Sequence, residues 1–515
     1  MFIDARRFRG EGPIETDICV IGAGAAGITL ALELDGCGQR VLVLESGGFE
    51  PDPATQTLYR GENDNPYSLP LDESRFRYFG GSTNRWAGWC RPLDRIDFES
   101  RDWIPHSGWP FSRDELEPWY QRAASVCELT DAGEIGTPQW KLDRIDIASF
   151  RLSPPTAFGK VYRDRLTTSS NVTVMLHANA ALLVRGENGR VSRIACQTLQ
   201  PSKFDILART VVLAAGGVEN ARLLLASELG NEHDVVGRYY MDHPALFSGV
   251  FEPAADCPPM HAFTTEHVSN PGRSTRVTGG FTLSDGVARK ERLAGAVTRF
   301  VPRPSHTMSD SWETPGSVSA RRLAHSLRAG RLPEHALDHL GRAARDVTSV
   351  AKAFAGAATH IFNSRRAVAL RSWVECVPDP ENRVTLSRKR NALGPVARVT
   401  WKTHSLEKRS LIRLQAILGD ELNKLGFGKI TPSLTDESAP WPPSQQGASH
   451  HMGTTRMHDS PTQGVVDRNC RVFGCENLFI AGSSLFPTSG YANPTFTIVA
   501  LALRLASHLR NYPRS

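Results

Sequence analysis

Residues 17–27 read DICVIGAGAAG, an apolar run followed directly by three spaced glycines. A helix-forming run, 28–34, comes next, and a second predicted strand, 40–44, is followed by Glu45. A glycine-rich turn between a strand and a helix holds a pyrophosphate on its backbone N–H groups, and an acid after the second strand accepts hydrogen bonds from a ribose. This order of elements therefore predicts a dinucleotide-binding unit.

Each glycine of the turn has its own predicted task. Gly22 permits the tight turn, Gly24 lets the backbone approach the phosphates, and Gly27 lets the helix pack closely on the strand. Ala25 and Ala26 lie in the same turn and are also predicted to contact the dinucleotide, and the exposed N–H groups at the start of the helix hold the phosphates. The alternative is a glycine-rich turn without a ligand, which the flanking strand, helix and acid disfavour.

Two later segments repeat the pattern of a strand followed by a helix. Residues 207–215, LARTVVLAA, precede a glycine pair and the helix-forming run 219–227. The apolar run 478–481 precedes the helix-forming run 496–509. The predicted fold class is therefore α/β (α+β overall), with a discontinuous Rossmann-like domain. Segment 149–200 predicts further strands beside it, with backbone near the adenine.

The middle of the chain has a different hydrophobic pattern. Between residues 242 and 440, short alternating runs such as 276–278 and 383–387 favour antiparallel strands. We expect the nucleotide-binding domain at 1–241 and 441–515, interrupted by an antiparallel-sheet substrate domain at 242–440.

A basic insertion, residues 302–358, interrupts the substrate domain. It begins with a Pro/Ser/Thr-rich loop and continues, at 319–358, into an Arg/Ala/Leu-rich run with helical periodicity. A solvated amphipathic insertion is one interpretation of such a charged run. The other is a lid, or a docking surface for a partner or a second copy of the chain.

Composition narrows the function classes. The 515 residues include 60 basic and 54 acidic side chains, a balance that does not favour nucleic-acid binding. No run of about 18 apolar residues predicts a transmembrane helix, and the polar N-terminus lacks the apolar core of a signal peptide. Nine scattered cysteines without a CxxC pair or zinc-ligand spacing indicate a reducing compartment and no metal site. We expect a cytoplasmic protein.

The C-terminal region carries side chains suited to chemistry on an alcohol. SHHMGTTRM begins at Ser449, and GYANPT begins at Gly490. A neutral imidazole, with an ordinary pKa of about 6.5, can take a hydroxyl proton at neutral pH. An amide can orient the same oxygen and stabilise negative charge on it.

Several motifs together resemble those of the glucose–methanol–choline (GMC) oxidoreductases. They are the glycine turn, the C-terminal pair, YFGGSTNRWAGWCRPL at 78–93, VVLAAGGVENARLLLAS at 211–227 and VGRYYMDHP at 236–244. The resemblance covers the chain except the basic insertion, and it includes bacterial pyranose oxidases and sugar dehydrogenase flavin subunits. It implies flavin adenine dinucleotide (FAD) as cofactor and oxidation of a CH–OH group of a sugar or glycoside, with O2 or another electron acceptor.

The resemblance also assigns catalytic residues. The family's catalytic histidine lies four residues before the Thr of a Gly-Thr pair, which makes it His450, with Asn493 as partner and His451 as a supporting neighbour. Pro494 and Thr495 open a helix whose positive end is expected to face the flavin. A loop or core histidine is the alternative for His450. His243 is expected to be structural, at the domain junction.

Remaining cofactor contacts come from the same motifs. In several family members a histidine just before the Trp is attached covalently to the flavin; Arg85 stands there, so we expect noncovalent FAD. The segment 78–92 is expected to contact the flavin. The other predicted contacts are Ser46, Gly81, Ser82, Asn84, Trp86, Ala87, Ala180, Ala215, Gly216, Gly482 and Ser483.

The substrate stays open at this point. A non-sugar alcohol (sterol, aliphatic or aromatic) and a non-redox lyase of the same family are alternatives, and oxidase and dehydrogenase are not distinguished. Trp86, Trp89, Trp373 and Trp441 are candidates for an aromatic platform under a sugar ring, with buried packing as the alternative for each.

Overall fold

The computed structural model describes residues 1–8, 10, 12–65, 68–129, 141–154, 156–200, 202–258, 260, 263, 276–302, 320, 323, 336–345, 347, 368–442 and 444–512. The strands are, in chain order, β1 (Phe2–Asp4), β2 (Ile14–Ile21), β3 (Val41–Leu44), β4 (Glu62–Asn63), β5 (Trp89–Cys90), β6 (Ile145–Leu152), β7 (Val172–Leu176), β8 (Asn179–Arg185), β9 (Val191–Gln197), β10 (Lys203–Leu213), β11 (Pro244–Pro253), β12 (Arg276–Leu283), β13 (Ala296–Pro302), β14 (Val368–Val374), β15 (Arg383–Asn391), β16 (Gly394–Thr400), β17 (Gly428–Pro432), β18 (Gln446–Gly447) and β19 (Leu478–Ile480). The α-helices are α1 (Ala25–Leu34), α2 (Pro53–Gln56), α3 (Arg113–Val126), α4 (Phe158–Val161), α5 (Arg163–Thr168), α6 (Glu219–Ala226), α7 (Asp285–Glu291), α8 (Ala336–Arg345), α9 (Ser405–Lys424) and α10 (Thr495–Arg510).

The first sheet joins strands that lie far apart in sequence. Its order is β1–β7–β3–β2–β10–β9–β8, with β19 also paired to β10. The pairs from β1 to β10, and that of β10 with β19, are parallel, while β9 and β8 form an antiparallel edge. The VLVL run of β3 is buried throughout, as expected for a parallel strand covered on both faces. The predicted discontinuous α/β fold class is confirmed.

Helices α1 and α10 pack against each other beside this sheet. The buried side of α10 includes Phe496, Val499, Leu503 and Leu505, and that of α1 includes Ile28 and Leu32. Both helices contribute to the main hydrophobic core. The first and the last α-helix of the described chain therefore lie together beside the first sheet.

The second sheet is antiparallel, with the order β17–β11–β14–β13–β12–β6–β5 and β18 paired to β11. The long helix α9 packs against it. In the core between them, Phe251 stacks on Phe300, and Phe281 packs against Phe300 at a tilt. The runs 276–278 and 383–387 lie in strands, the second of them in a separate three-stranded sheet of β15, β16 and β4.

The boundary between the sheets does not coincide with the expected boundary at residue 242. Strands β5 and β6 precede that residue, yet both belong to the second sheet. Residues 149–152, which we expected beside the first unit, are therefore part of β6. The remaining strands of segment 149–200, β7 to β9, do lie in the first sheet.

Most of the basic insertion lies outside the described residues, including most of 319–358. In its described helix, α8, Arg342 forms an ion pair with Glu73, with Nη2 2.9 Å from Oε1. All nine cysteines belong to the described part and are free thiols. Of the helices in the described ranges, none has both the length and the apolar character needed to cross a bilayer.

Candidate active site

The four central parallel strands end at one large cavity. Gly22 follows β2, Glu45 follows β3, Ala214 follows β10 and Gly482 lies just beyond β19, and all four residues line the cavity. Its volume is about 1510 Å³. Because the carboxyl ends of parallel strands meet at the same edge of a sheet, the four segments converge although they are separated in sequence.

The glycine turn after β2 forms this cavity's wall with its backbone. Gly22 has a φ of +107°, and a Cβ there would lie 2.6 Å from the carbonyl oxygen of Ala214. A Cβ on Gly27 would lie 1.8 Å from the carbonyl oxygen of Gly22. Gly24, by contrast, lines the cavity with nothing within 4 Å of its Cβ position. The turn is thus closed on its inner side and open towards the cavity.

Glu45 is buried beside the turn. One carboxylate oxygen accepts a hydrogen bond from the backbone N–H of Ala23 at 3.0 Å and the other from Gly47 at 2.9 Å. Burial raises the pKa of Glu45, and these backbone donors oppose that shift. The hydroxyl of the adjacent Ser46 hydrogen-bonds to Asn179 and accepts from Nε of Arg77 at 2.7 Å.

Residues 80–87 bring a second backbone segment to the turn. The N–H of Gly80 donates to the carbonyl of Ala23 at 2.8 Å, and the Cα of Gly24 lies 3.1 Å from the Cβ position of Gly81. The indole of Trp86 donates to the carbonyl of Thr156 at 3.0 Å. This segment closes one side of the cavity over the glycine turn.

At the other end of the cavity lies His450, on a loop held from behind by a carboxylate. Asp242 accepts the backbone N–H groups of Ser449, at 3.1 Å, and His450, at 2.9 Å. Burial raises the pKa of Asp242 to about 7, and these backbone donors oppose the shift. The loop geometry includes Ser449 at a φ of +61°.

The imidazole of His450 contacts two polar side chains, one through each ring nitrogen. Nε2 lies 3.3 Å from Nδ2 of Asn493, which directly precedes Pro494 and α10. Nδ1 lies 2.9 Å from Nδ1 of His243. Burial lowers the pKa of His450 well below its ordinary value, and the neighbouring His243 and His451 lower it further, so the ring is neutral at pH 7.

Residues 17–329 match the family of FAD dependent oxidoreductases, and residues 378–502 match the GMC oxidoreductase C-terminal family. The chain belongs to the FAD-dependent GMC oxidoreductases. Its FAD cofactor and oxidoreductase class follow from this membership.

Curated relatives of this oxidoreductase span nearly its whole length. The fructose dehydrogenase large subunit of Gluconobacter japonicus is 23% identical, with 97% of this chain and 98% of that protein covered. The 2-methyl-1,2-propanediol dehydrogenase of Mycolicibacterium austroafricanum is 23% identical (96% and 95%), and the 6'''-hydroxyparomomycin C oxidase of Streptomyces lividus is 24% identical (96% and 92%). The crystal structure of pyridoxine 4-oxidase from Mesorbium loti is 17% identical, covers 97% and 100% of the two chains, and has a TM-score of 0.58, which supports the fold.

The cavity of this oxidoreductase fits FAD. Open space over Gly24 and Gly216, where nothing lies within 4 Å of the Cβ positions, leaves room for a group pressed against the backbone. Most of the residues predicted to contact FAD line the cavity: Gly22, Gly24, Ala25, Ala26, Glu45, Ser46, Gly81, Ser82, Arg85, Trp86, Ala87, Ala180, Ala215, Gly216, Gly482, Ser483, Asn493, Pro494 and Thr495.

Two predicted contacts lie elsewhere. Gly27 packs α1 against the turn, as its assigned task requires. Asn84 does not line the cavity; its Nδ2 donates to the carbonyl of Phe79 at 2.7 Å, and its Oδ1 accepts the N–H of Gly159 at 3.2 Å. Asn84 therefore holds the loop of residues 80–84 in place from outside the cavity.

His451 also lines the cavity, and the four candidate tryptophans differ in their surroundings. The ring of His451 lies against Tyr240, with centroids 5.9 Å apart, and burial lowers its pKa to about 3. Trp86 and Trp89 line the cavity. Trp373 instead donates to the carbonyl of Tyr491 at 2.6 Å, and Trp441 donates to Thr403 at 2.7 Å, so the packing alternative describes these two.

Sequence reasoning missed a cluster of charged residues on the cavity wall. Arg75 and Arg77 lie within 4 Å of the buried carboxylate of Glu219, and Arg222 lies 2.6 Å from it. Although burial raises it, these guanidinium groups lower the pKa of Glu219 to about 2. The alternating arginines of SRFRY were the only signal, and such a pattern is also typical of an exposed strand.

Proposed function

We propose that this oxidoreductase oxidises a CH–OH group of a sugar or glycoside to a carbonyl, with His450 as the general base. The observation that carries the proposal is a neutral, buried imidazole whose Nε2 and the amide of Asn493 face each other at 3.3 Å at the end of the FAD cavity. A substrate hydroxyl placed beside both atoms, within hydrogen-bond distance of each, meets a proton acceptor and a hydrogen-bond donor.

The residues act in three ways. Nε2 of His450 takes the hydroxyl proton, which raises the electron density on the substrate carbon and makes loss of its hydrogen with the electron pair easier. Nδ2 of Asn493 donates to the same oxygen and stabilises its developing negative charge. Bound FAD supplies the acceptor for that hydrogen and electron pair. Asp242 keeps His450 in place through its backbone.

The cofactor and substrate sides come from different parts of the chain in this proposal. Residues 1–241 and 441–515 hold FAD through the glycine turn and the residues that line the cavity, while 242–440 carry most of the second sheet on the substrate side. The protein acts in the cytoplasm, on a small molecule, and resembles pyranose oxidases in its target.

The choice of sugar or glycoside rests on the relatives, whose names include fructose dehydrogenase and 6'''-hydroxyparomomycin C oxidase. Trp86 and Trp89 supply aromatic surface in the cavity for a sugar ring. A non-sugar alcohol is the second candidate, since one relative of equal coverage is a 2-methyl-1,2-propanediol dehydrogenase.

Anaerobic flavin bleaching tests the proposal. The purified holoenzyme is mixed without oxygen with D-fructose, D-glucose, several glycosides and 2-methyl-1,2-propanediol, and the flavin absorbance is followed. We expect bleaching by a sugar or glycoside. Bleaching only by the diol would transfer the function to simple alcohols, and no bleaching by any member would contradict the proposed oxidation. Recovery in air distinguishes an oxidase, which recovers fast, from a dehydrogenase.

Noncovalent attachment of FAD is a further part of the proposal. Arg85 lines the cavity, with its guanidinium carbon 4.9 Å from the ring centroid of Phe76, and cannot form a histidyl link. Acid precipitation should therefore release the flavin into the supernatant. Flavin that stays with the precipitated protein would contradict noncovalent binding.

A further inference from the structure

The base His450 is hydrogen-bonded to a second buried histidine that no motif linked to it. His243 directly precedes β11, is 0% exposed and lies 207 positions away in the chain. Its Nδ1 is 2.9 Å from Nδ1 of His450, and its Nε2 is 2.9 Å from the carbonyl oxygen of Gly490. The two rings are nearly perpendicular, at 86°. Both nitrogens of His243 therefore have a partner.

The carbonyl of Gly490 determines which ring nitrogens of His243 and His450 carry a proton. A carbonyl oxygen only accepts, so Nε2 of His243 must carry a proton and donate it. Burial lowers the pKa of His243 to about 4, so the ring is neutral at pH 7 and its Nδ1 carries a lone pair. Nδ1 of His450 must then be the donor between the rings. A neutral His450 is left with a lone pair on Nε2, the atom that faces Asn493.

We propose that His243 is a positioning residue that fixes the tautomer of His450, so that Nε2 is the proton acceptor. This inference rests on the proposed function, in which Nε2 receives the substrate proton. In the other tautomer of His450, the lone pairs on the two Nδ1 atoms would face each other at 2.9 Å. This contact disfavours that tautomer.

The same contact assists the base after proton transfer. When Nε2 takes the hydroxyl proton, His450 becomes an imidazolium whose Nδ1–H still donates to His243, so the new charge keeps a hydrogen-bond acceptor. The nearby carboxylates are occupied otherwise. Asp242 accepts backbone N–H groups of the loop, and Glu375 pairs with Arg101. The hydrogen-bond acceptor for Nδ1–H of His450 is thus a neutral histidine and not a carboxylate.

Two variants separate the two hydrogen bonds of His243. An Asn amide reaches the position of the ring Nδ1, and a Gln amide reaches that of Nε2. His243→Asn therefore keeps an acceptor for His450 and loses the bond to Gly490, whereas His243→Gln keeps the bond to Gly490 and loses the acceptor. A role confined to anchoring the Gly490 loop would make Gln the milder substitution.

The first readout needs no substrate. In the oxidised holoenzyme labelled with ¹⁵N-histidine, the His450 signals, assigned by their loss in His450→Gln, should show a protonated Nδ1 and an unprotonated Nε2. His243→Gln should shift them towards a mixture of tautomers, and His243→Asn should not. A wild-type His450 protonated on Nε2 would overturn the inference.

The second readout is the rate of anaerobic flavin reduction by whichever sugar, glycoside or diol bleaches the wild-type holoenzyme. We expect His243→Gln to be at least about 10-fold slower and His243→Asn to stay within about 3-fold of wild type. The loss in His243→Gln is only part of the factor of at least about 100 that a general base supplies. Equal slowing of the two variants, or slower reduction in His243→Asn, would overturn the inference. An unchanged rate in His450→Gln would instead contradict the proposed function, while the tautomer spectrum still decides the present inference.

Discussion

The two ends of the cavity are built from different parts of the polypeptide. At the glycine turn after β2, the backbone itself forms the wall. Gly22, Gly24 and Gly27 suit this turn because they have no side chain. At the other end, His450 works through side-chain contacts with His243 and Asn493. The first end depends on the shape of one short segment, and the second on contacts between distant segments. Substitutions at the two ends should therefore fail in different ways.

The largest effect is expected at Gly27. A Cβ there would lie 1.8 Å from the backbone carbonyl oxygen of Gly22, so Gly27→Ala should lower the free energy of unfolding by about 3 kcal/mol. Gly24→Ala is the matched control: its Cβ meets nothing within 4 Å, so the apoprotein should keep its stability but bind FAD more weakly. Chemical denaturation of the apoproteins and FAD titration measure both. Equal stability of the two variants would contradict this account of the turn.

At the other end, His450→Gln should retain FAD and stability but slow anaerobic flavin reduction by at least about 100-fold, because the general base is lost. Stopped-flow absorbance measures the rate, and the flavin spectrum checks the FAD content. His451→Gln is the control, since its ring packs against Tyr240 and should affect the rate far less. A rate unaffected in His450→Gln and reduced in His451→Gln would transfer the role of base to His451.

The smallest effect is expected at the described helix of the basic insertion. Arg342 and Glu73 form a partly exposed ion pair, and such pairs contribute about 0–1 kcal/mol. Arg342→Ala should therefore change the free energy of unfolding by less than about 1 kcal/mol and leave flavin reduction within about 3-fold of wild type. Arg345→Ala on the same helix is the control. If flavin reduction were more than about 10-fold slower in Arg342→Ala but not in Arg345→Ala, this helix would act as a lid over the cavity.

The same contrast explains what the sequence could predict. The glycine turn, its strand and its acid are contiguous, so residues 17–45 alone were enough to predict them. The runs 207–215 and 478–481 were predicted as strands from their apolar character. The family resemblance marked His450 and Asn493, whose roles stay predictions. The placement of β5 and β6 in the second sheet was not foreseen, because short alternating runs do not say which partner they pair with.

The contact between His243 and His450 could not be predicted from the sequence, for a similar reason. The sequence indicated a structural histidine at 243, but nothing in a single chain says that two residues 207 positions apart face each other at 2.9 Å. Arg75 and Arg77 are a parallel case, since their pairing with Glu219 becomes visible only when α6 is placed beside the cavity. Local patterns predicted backbone elements, and tertiary packing decided the side-chain contacts.

The parallel pairing of β19 with β10 has a consequence for the synthesis of this protein. Strand β2 ends at Ile21 and β19 begins at Leu478, so a ribosome that adds 5–20 residues per second needs roughly 20–90 s between them. During that time the nascent chain exposes the cavity edge that β19 and α10 later cover. The apolar surface of β10 and α1 is then available to chaperones and to other chains. FAD can reach its complete binding site only after Ile498, the last residue in sequence that lines the cavity, has left the ribosome, so cofactor loading comes at the end of synthesis.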